Sequence, residues 1–170
     1  MKGQSWTIFW NEHAKETYLY GTELVFHEKT DIEFRNELMP PGTVIKRWFS
    51  KVNYQAKRIE PALPMIDGEG RYHICLNASA EPSGGLILKL IFYDRYDVEA
   101  GEKIIRGGEA DFQCPLKTFS YEVQLINGGA AQFHFHSIVI TEAADEEQKL
   151  ISKPEKSKKR AFARSRTERR

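Results

Sequence analysis

Residues 71–80, RYHICLNASA, alternate between two kinds of side chain almost without a break. Tyr72, Ile74, Leu76, Ala78 and Ala80 share one parity; His73, Cys75, Asn77 and Ser79 share the other. A period of two marks a strand with one face on a core and one toward water. The turn cluster EPSGG (81–85) leads into LILKLIFYD (86–94), whose inner parity carries Leu86, Leu88, Leu90 and Phe92. The other parity carries Ile87, Lys89, Ile91 and Tyr93. That row is too apolar to be left in solvent, so it is expected to be covered.

The segment FHFHSIVIT (133–141) breaks its own period, with Phe133 and Phe135 on one parity and Ile138 and Ile140 on the other. A regular strand cannot bury all four, because a one-residue shift flips the face. A β-bulge at His136–Ser137 restores the register, leaving His134 outward and His136 at the kink. TIFWN (7–11), ELVFH (23–27), IEF (32–34), TVIKRWF (43–49), ADFQC (110–114) and SYEVQLIN (120–127) add further short strands, and ADEEQKLIS (144–152) reads as weakly helical. Short strands at roughly 8–12-residue spacing, punctuated by Gly, Pro and Asn, predict an all-β fold: an antiparallel β-sandwich or jelly roll. A doubly wound α/β fold is set aside because no amphipathic helix lies between the strands.

The stretch LMPPGTVIKRWFSKVNYQ (38–55) mixes aromatic and basic residues after a turn. Proline pre-sets φ and Gly42 accepts a positive φ, so Pro40-Pro41-Gly42 suits a tight turn. Burying Ile45 and Phe49 would turn Lys46 and Trp48 outward, which makes Trp48 a candidate contact residue. Trp6, Trp10, Tyr18, Tyr20, Trp48, Phe49 and Tyr54 gather in the first third of the chain. Trp10 and Phe49 are expected in the core. Trp48, Tyr54 and Tyr20 stand between core packing and an exposed ring, which would offer a flat face to a sugar or an anchor to a protein.

Composition narrows the class. The chain has 170 residues, 41% hydrophobic, 12% aromatic and 29% charged, which suits one soluble globular domain with a real core. No apolar run approaches the roughly 18 residues of a membrane helix, and no signal peptide is visible, so the cytoplasm is the expected compartment. Cys75 and Cys114 have no metal-like spacing and read as ordinary strand residues. The net charge of +1 hides an asymmetry: residues 152–170 carry nine Lys/Arg and two Glu, a charge of +7, leaving residues 1–151 at −6. The expected division is a β-sandwich over 1–143 and a charged, mostly disordered tail over 144–170. Lys158, Lys159, Arg160, Arg164 and Arg166 would give that tail attraction to an anionic surface such as the inner membrane face. The alternative is a solvated tail with little role; no nucleic-acid partner is expected.

Catalytic patterns do not stand out. No G-x-S-x-G, H-E-x-x-H or G-x-x-x-x-G-K-[ST] occurs. Asp67-Gly68-Glu69-Gly70 sits just before a strand and reads as a turn. His134-x-His136, with His73 and Cys75 also outward, could supply two zinc ligands, but spacing fixes no third, so neither metal nor cofactor is expected. A metal-assisted enzyme on the same scaffold stays as a lesser alternative.

Two resemblances add to this reading. Gly70-x-Tyr72-x-Ile74-x-Leu76, the 86–94 strand, Tyr121-x-Val123-x-Leu125-Ile126-Asn127-x-Gly129 and the final F-x-F-H-S-I-x-I strand resemble a carbohydrate-binding-module sandwich. A longer match spans about residues 5–142. It runs through Tyr18-Leu19-Tyr20-Gly21, Leu38-Met39-Pro40-Pro41-Gly42-Thr43-Val44-Ile45, Trp48, Ser50-Lys51, Asn53-Tyr54-Gln55 and Pro61-x-Leu63-Pro64. It ends with Leu125-Ile126-Asn127-x-Gly129 and Phe135-His136-Ser137-Ile138. This pattern resembles the family of the third accessory Sec-system protein.

That resemblance implies a non-enzymatic protein of carbohydrate-binding-module type in Gram-positive bacteria that export serine-rich-repeat glycoprotein adhesins. It implies two larger accessory partners, one similar to a glycosyltransferase and one similar to an α/β-hydrolase acyltransferase. It also implies delivery of the adhesin preprotein to a dedicated Sec ATPase and channel. Neither a calcium-like carboxylate cluster nor a row of aromatics on one strand stands out, as a sugar-binding pattern would need. The candidate partner- or glycan-binding residues are Lys46, Trp48, Lys51, Tyr54, Ile87, Ile91 and Tyr93. The rival to an assembly subunit is a module that holds the glycosylated repeat directly.

Overall fold

The computed structural model describes residues 4–10, 16–50, 63–66, 68–82 and 84–143. Ten strands follow in order: β1 (Ser5–Ile8), β2 (Glu23–Glu28), β3 (Asp31–Arg35), β4 (Val44–Phe49), β5 (Arg71–Glu81), β6 (Leu86–Tyr93), β7 (Glu99–Ile105), β8 (Glu109–Gln113), β9 (Ser120–Asn127) and β10 (Gln132–Glu142). They form two antiparallel sheets. One has the order β2-β3-β10-β5-β8, with β1 also paired to β10; the other has the order β4-β9-β6-β7. Among the described residues no helix is long and apolar enough to cross a membrane.

The inner faces meet as the alternation requires. Ile74, Leu88, Leu90, Val123 and Leu125 are buried between the sheets. The last strand keeps all four of its apolar residues inside: its register against β5 shifts between Phe135 and Ser137, and Phe133, Phe135, Ile138 and Ile140 are all buried. The bulge inserts the one residue needed to change parity. Trp10 stands at the centre of an aromatic cluster, with ring centroids 6.1 Å from Phe34, 6.1 Å from Trp48 and 5.4 Å from Phe135.

Two expectations for the 43–49 strand are overturned. Lys46 is 1% exposed and Trp48 2%, so both point inward. Phe49 lies on the outer parity and is half-buried. The cause is a second bulge. Val44 pairs with Ile126 but Lys46 pairs with Leu125, so two residues of β4 oppose one of β9. Ile45 stays buried while the face of every later residue is reversed. Trp48 stacks on Phe135 at 5.5 Å, and its Nε1–H donates to the Phe9 carbonyl at 3.2 Å. Lys46 runs beside these rings, with Nζ 5.3 Å from the centre of Trp10, and donates to Thr17 Oγ1 at 3.4 Å.

The turn before β4 forms as expected, with Gly42 at φ +89°. It is strapped to the end of β9: Gly42 N–H donates to the Asn127 carbonyl at 2.8 Å, and Asn127 Nδ2 donates to the carbonyls of Met39 and Pro40. The first strand lies two residues earlier than its apolar run suggested. β7, EAGEKII, was not signalled, because an exposed edge strand rich in charge has no alternation to read.

Candidate functional site

The outer face of the four-stranded sheet is set by register. From β4 to β7, one row across it is Phe49, Glu122, Ile91 and Glu102. The next is Arg47, Gln124, Lys89 and Ile104, and Ile126 pairs with Ile87 beyond it. Of the expected contact residues, Ile87, Ile91 and Tyr93 therefore share one face. Lys46 and Trp48 lie beneath it in the core. Lys51, Tyr54, Lys158, Lys159, Arg160, Arg164 and Arg166 lie outside the described residues.

The face is organised around Glu122, which is 7% exposed although its side chain belongs to the outer parity. Its Oε1 accepts from the Tyr93 hydroxyl at 3.2 Å, its Oε2 from Gln124 Nε2 at 2.6 Å, and Arg47 Nε lies 3.3 Å from Oε2. A carboxylate shielded from water must be paired in this way or it would cost several kcal/mol. Burial, and then the negative charge of Glu122, push the Tyr93 hydroxyl up to about 12, so it remains a donor across the physiological range. Beside the network, Lys89 pairs with Glu102 at 3.2 Å. Ile87, Ile91, Ile126 and Phe49 frame the charges with apolar surface. Arg47, Phe49, Glu122, Gln124 and Glu102 were missed in the sequence. The alternation of SYEVQLIN places Glu122 and Gln124 opposite its apolar parity, and that was the available signal.

The Glu122 carboxylate is already engaged by Tyr93, Gln124 and Arg47. The described histidines lie elsewhere. His134 Nδ1 is 2.8 Å from Asp31, His27 Nε2 is 2.9 Å from Glu33, and the His27 and His134 rings stack at 6.2 Å on the six-stranded sheet. His136 Nδ1 donates to the Thr30 carbonyl at 2.7 Å. His73 pairs with Asp111 at 2.7 Å, and β10 places Thr141 rather than either histidine opposite it. Burial pushes the Cys75 thiol up, away from reactivity. Among the described residues no group of three His, Cys, Asp or Glu could hold a metal ion.

A family model described as accessory Sec secretory system ASP3 matches residues 17–142. The chain belongs to this family. The accessory Sec system ASP3 protein of Streptococcus gordonii is 37% identical over 130 residues, 76% of this chain and 82% of that protein. The ASP3 protein of Staphylococcus aureus is 24% identical over 142 residues, 84% of this chain and 44% of that protein. A chain in the crystal structure of accessory secretory proteins 1, 2 and 3 of Streptococcus pneumoniae superimposes with a TM-score of 0.77 at 31% identity. That match covers 81% of this chain and 96% of that one. A chain of the Glycosylation Associate Protein (Gap123) complex of Streptococcus agalactiae gives a TM-score of 0.75 at 32% identity, covering 82% of this chain and 44% of that one. The matched span covers nearly the whole sandwich, from the segment preceding β2 to the end of β10.

Proposed function

We propose that this chain is a non-catalytic subunit of an accessory Sec export complex. It binds two larger accessory proteins, one glycosyltransferase-like and one α/β-hydrolase-like. Together they engage a serine-rich-repeat adhesin preprotein during its modification and pass it to the accessory Sec ATPase. The work is done in the cytoplasm, and the basic tail adds weak attraction to the inner membrane face. The observation that carries this reading is the likeness, over nearly the whole of that chain, to a chain solved with accessory secretory proteins 1, 2 and 3. The outer face of the four-stranded sheet supports it. Isoleucines and Phe49 around an internally satisfied charge network suit a protein surface better than a sugar, which needs free polar groups to orient it.

The test is co-expression of the tagged full chain with the two larger accessory proteins of its own host. Recovery of a stable assembly is the expected result. A chain that elutes alone at micromolar concentration contradicts the proposal. The glycan-holding alternative predicts affinity of the isolated chain for the adhesin's sugars. Its aromatic platform loses Trp48 to the core.

A further inference from the structure

An exposed apolar cluster lies in the segments that precede β2 and follow β3. Leu19, Tyr20 and Leu38 are 52%, 73% and 69% exposed, three large apolar side chains from two separate segments. The backbone that carries them is tied down. Asn36, itself buried, donates from Nδ2 to the Tyr20 carbonyl at 2.7 Å and to Thr22 Oγ1 at 2.9 Å, while its Oδ1 accepts from Leu38 N–H at 2.9 Å. Thr22 closes the turn by donating from Oγ1 to the Tyr18 carbonyl at 2.7 Å. Gly21, at φ +73°, brings the two segments together: a Cβ there would sit 3.1 Å from Leu38 Cδ1. A buried amide thus fixes an apolar tip in water, and a tip already ordered loses little entropy on binding.

The size and shape of the tip point to its occupant. Three such side chains expose on the order of 400 Å² of apolar surface, within the range of patches that mark binding sites. A contact made by the tip alone would bury about 800 Å² in total, half of a standard interface, so the tip is one part of a wider contact. A projecting tip is also not complementary to its own copy, as an isologous contact requires. Beside it runs a polar groove of about 300 Å³ lined by Gly21, Glu23, Arg35, Asn36, Glu37 and Leu38. Arg35 pairs there with Glu37 at 3.4 Å, which leaves the rim acidic through Glu23.

We infer that the Leu19–Tyr20–Leu38 knob inserts into a concave apolar pocket, bordered by basic side chains, on a larger accessory protein of the export complex. The inference rests on the reading of the chain as an assembly subunit. The experiment measures the affinity of the full chain for each purified accessory protein by calorimetry, with Tyr20→Ala, Leu38→Glu and, in the turn between β6 and β7, Tyr96→Ala. Tyr20→Ala and Leu38→Glu each weaken one of the two partners at least tenfold, roughly 1.4 kcal/mol. Tyr96→Ala changes nothing at that site, and all three variants keep the parent melting temperature. Parent-like affinity of both knob variants for both partners overturns the knob while leaving the subunit reading intact. Failure of the parent chain to bind either partner overturns both. A parent chain that dimerises, and becomes monomeric on Leu38→Glu, assigns the knob to a second copy and overturns the inference.

Discussion

Truncating Trp48 to alanine separates a core residue from a ligand platform. The side chain is 2% exposed, stacks on Phe135 at 5.5 Å, meets Trp10 edge-on at 6.1 Å and donates Nε1–H to the Phe9 carbonyl. Removing a buried tryptophan costs about 3–5 kcal/mol in transfer and cavity terms. Leaving the Phe9 carbonyl without its donor adds about 1 kcal/mol. The sum, on the order of 4–6 kcal/mol, is comparable to the entire stability of many domains. A domain of this size shifts about 3–5 °C per kcal/mol, so the midpoint should fall by at least about 12 °C. Trp48→Phe keeps the stacking and loses the hydrogen bond, and should cost only about 1–2 kcal/mol. Thermal and urea unfolding of both variants, followed by tryptophan fluorescence and circular dichroism, provide the assay. A Trp48→Ala protein that melts within about 2 °C of the parent would refute the inward placement and return Trp48 to the surface.

Glu122→Ala strips the Tyr93 hydroxyl, the Gln124 amide and Arg47 of their shared acceptor. It should destabilise by about 2–4 kcal/mol in urea titration at unchanged m, and Glu122→Gln by less. The β2–β3 hairpin should show a pH window. The Glu33 hydrogen bond raises His27 above its ordinary value, so its contribution is complete below about pH 6.5 and fades as pH rises through the raised value. The His134 hydrogen bond holds Asp31 below its ordinary value, so its contribution is present above about pH 3.8 and is lost as pH falls. Melting temperatures at low salt should therefore show the histidine and aspartate both contributing near pH 4–6. His27→Ala should flatten the alkaline side, and an unchanged profile would count against the pairing. Truncation after residue 151 removes the +7 segment. It should abolish binding to anionic vesicles in a sedimentation assay, since each basic residue near such a surface contributes about 1 kcal/mol. Equal binding by the truncated chain would remove the membrane role.

What could be read from the sequence depended on how local the governing interaction was. The β5, β6 and β9 alternations follow from burial on one face, and they placed most of the core and the row Ile87–Ile91–Tyr93. The β10 bulge was legible because Phe135 and Ile138, both large and apolar, conflict in parity. The same conflict stood in β4 between Ile45 and Trp48, but Lys46 between them argued against an inward turn. A lysine whose aliphatic stem lies along aromatic rings while its ammonium finds a hydroxyl escapes a simple polar-out rule. Glu122 could be put on a strand face from sequence, whereas its burial depends on Arg47, Tyr93 and Gln124, three side chains brought from separate register positions. β7 was missed because its pairing with β6 is made by the backbone, which its charged residues do not advertise.

The measurement that bears most directly on the central claim is recovery of partners from the native host with the full chain as bait, washed with and without the adhesin's sugars. The account predicts that the two larger accessory proteins come down together and resist the sugar wash. Recovery of glycosylated adhesin alone, released by sugar, would contradict it and make this sandwich a glycan-holding module.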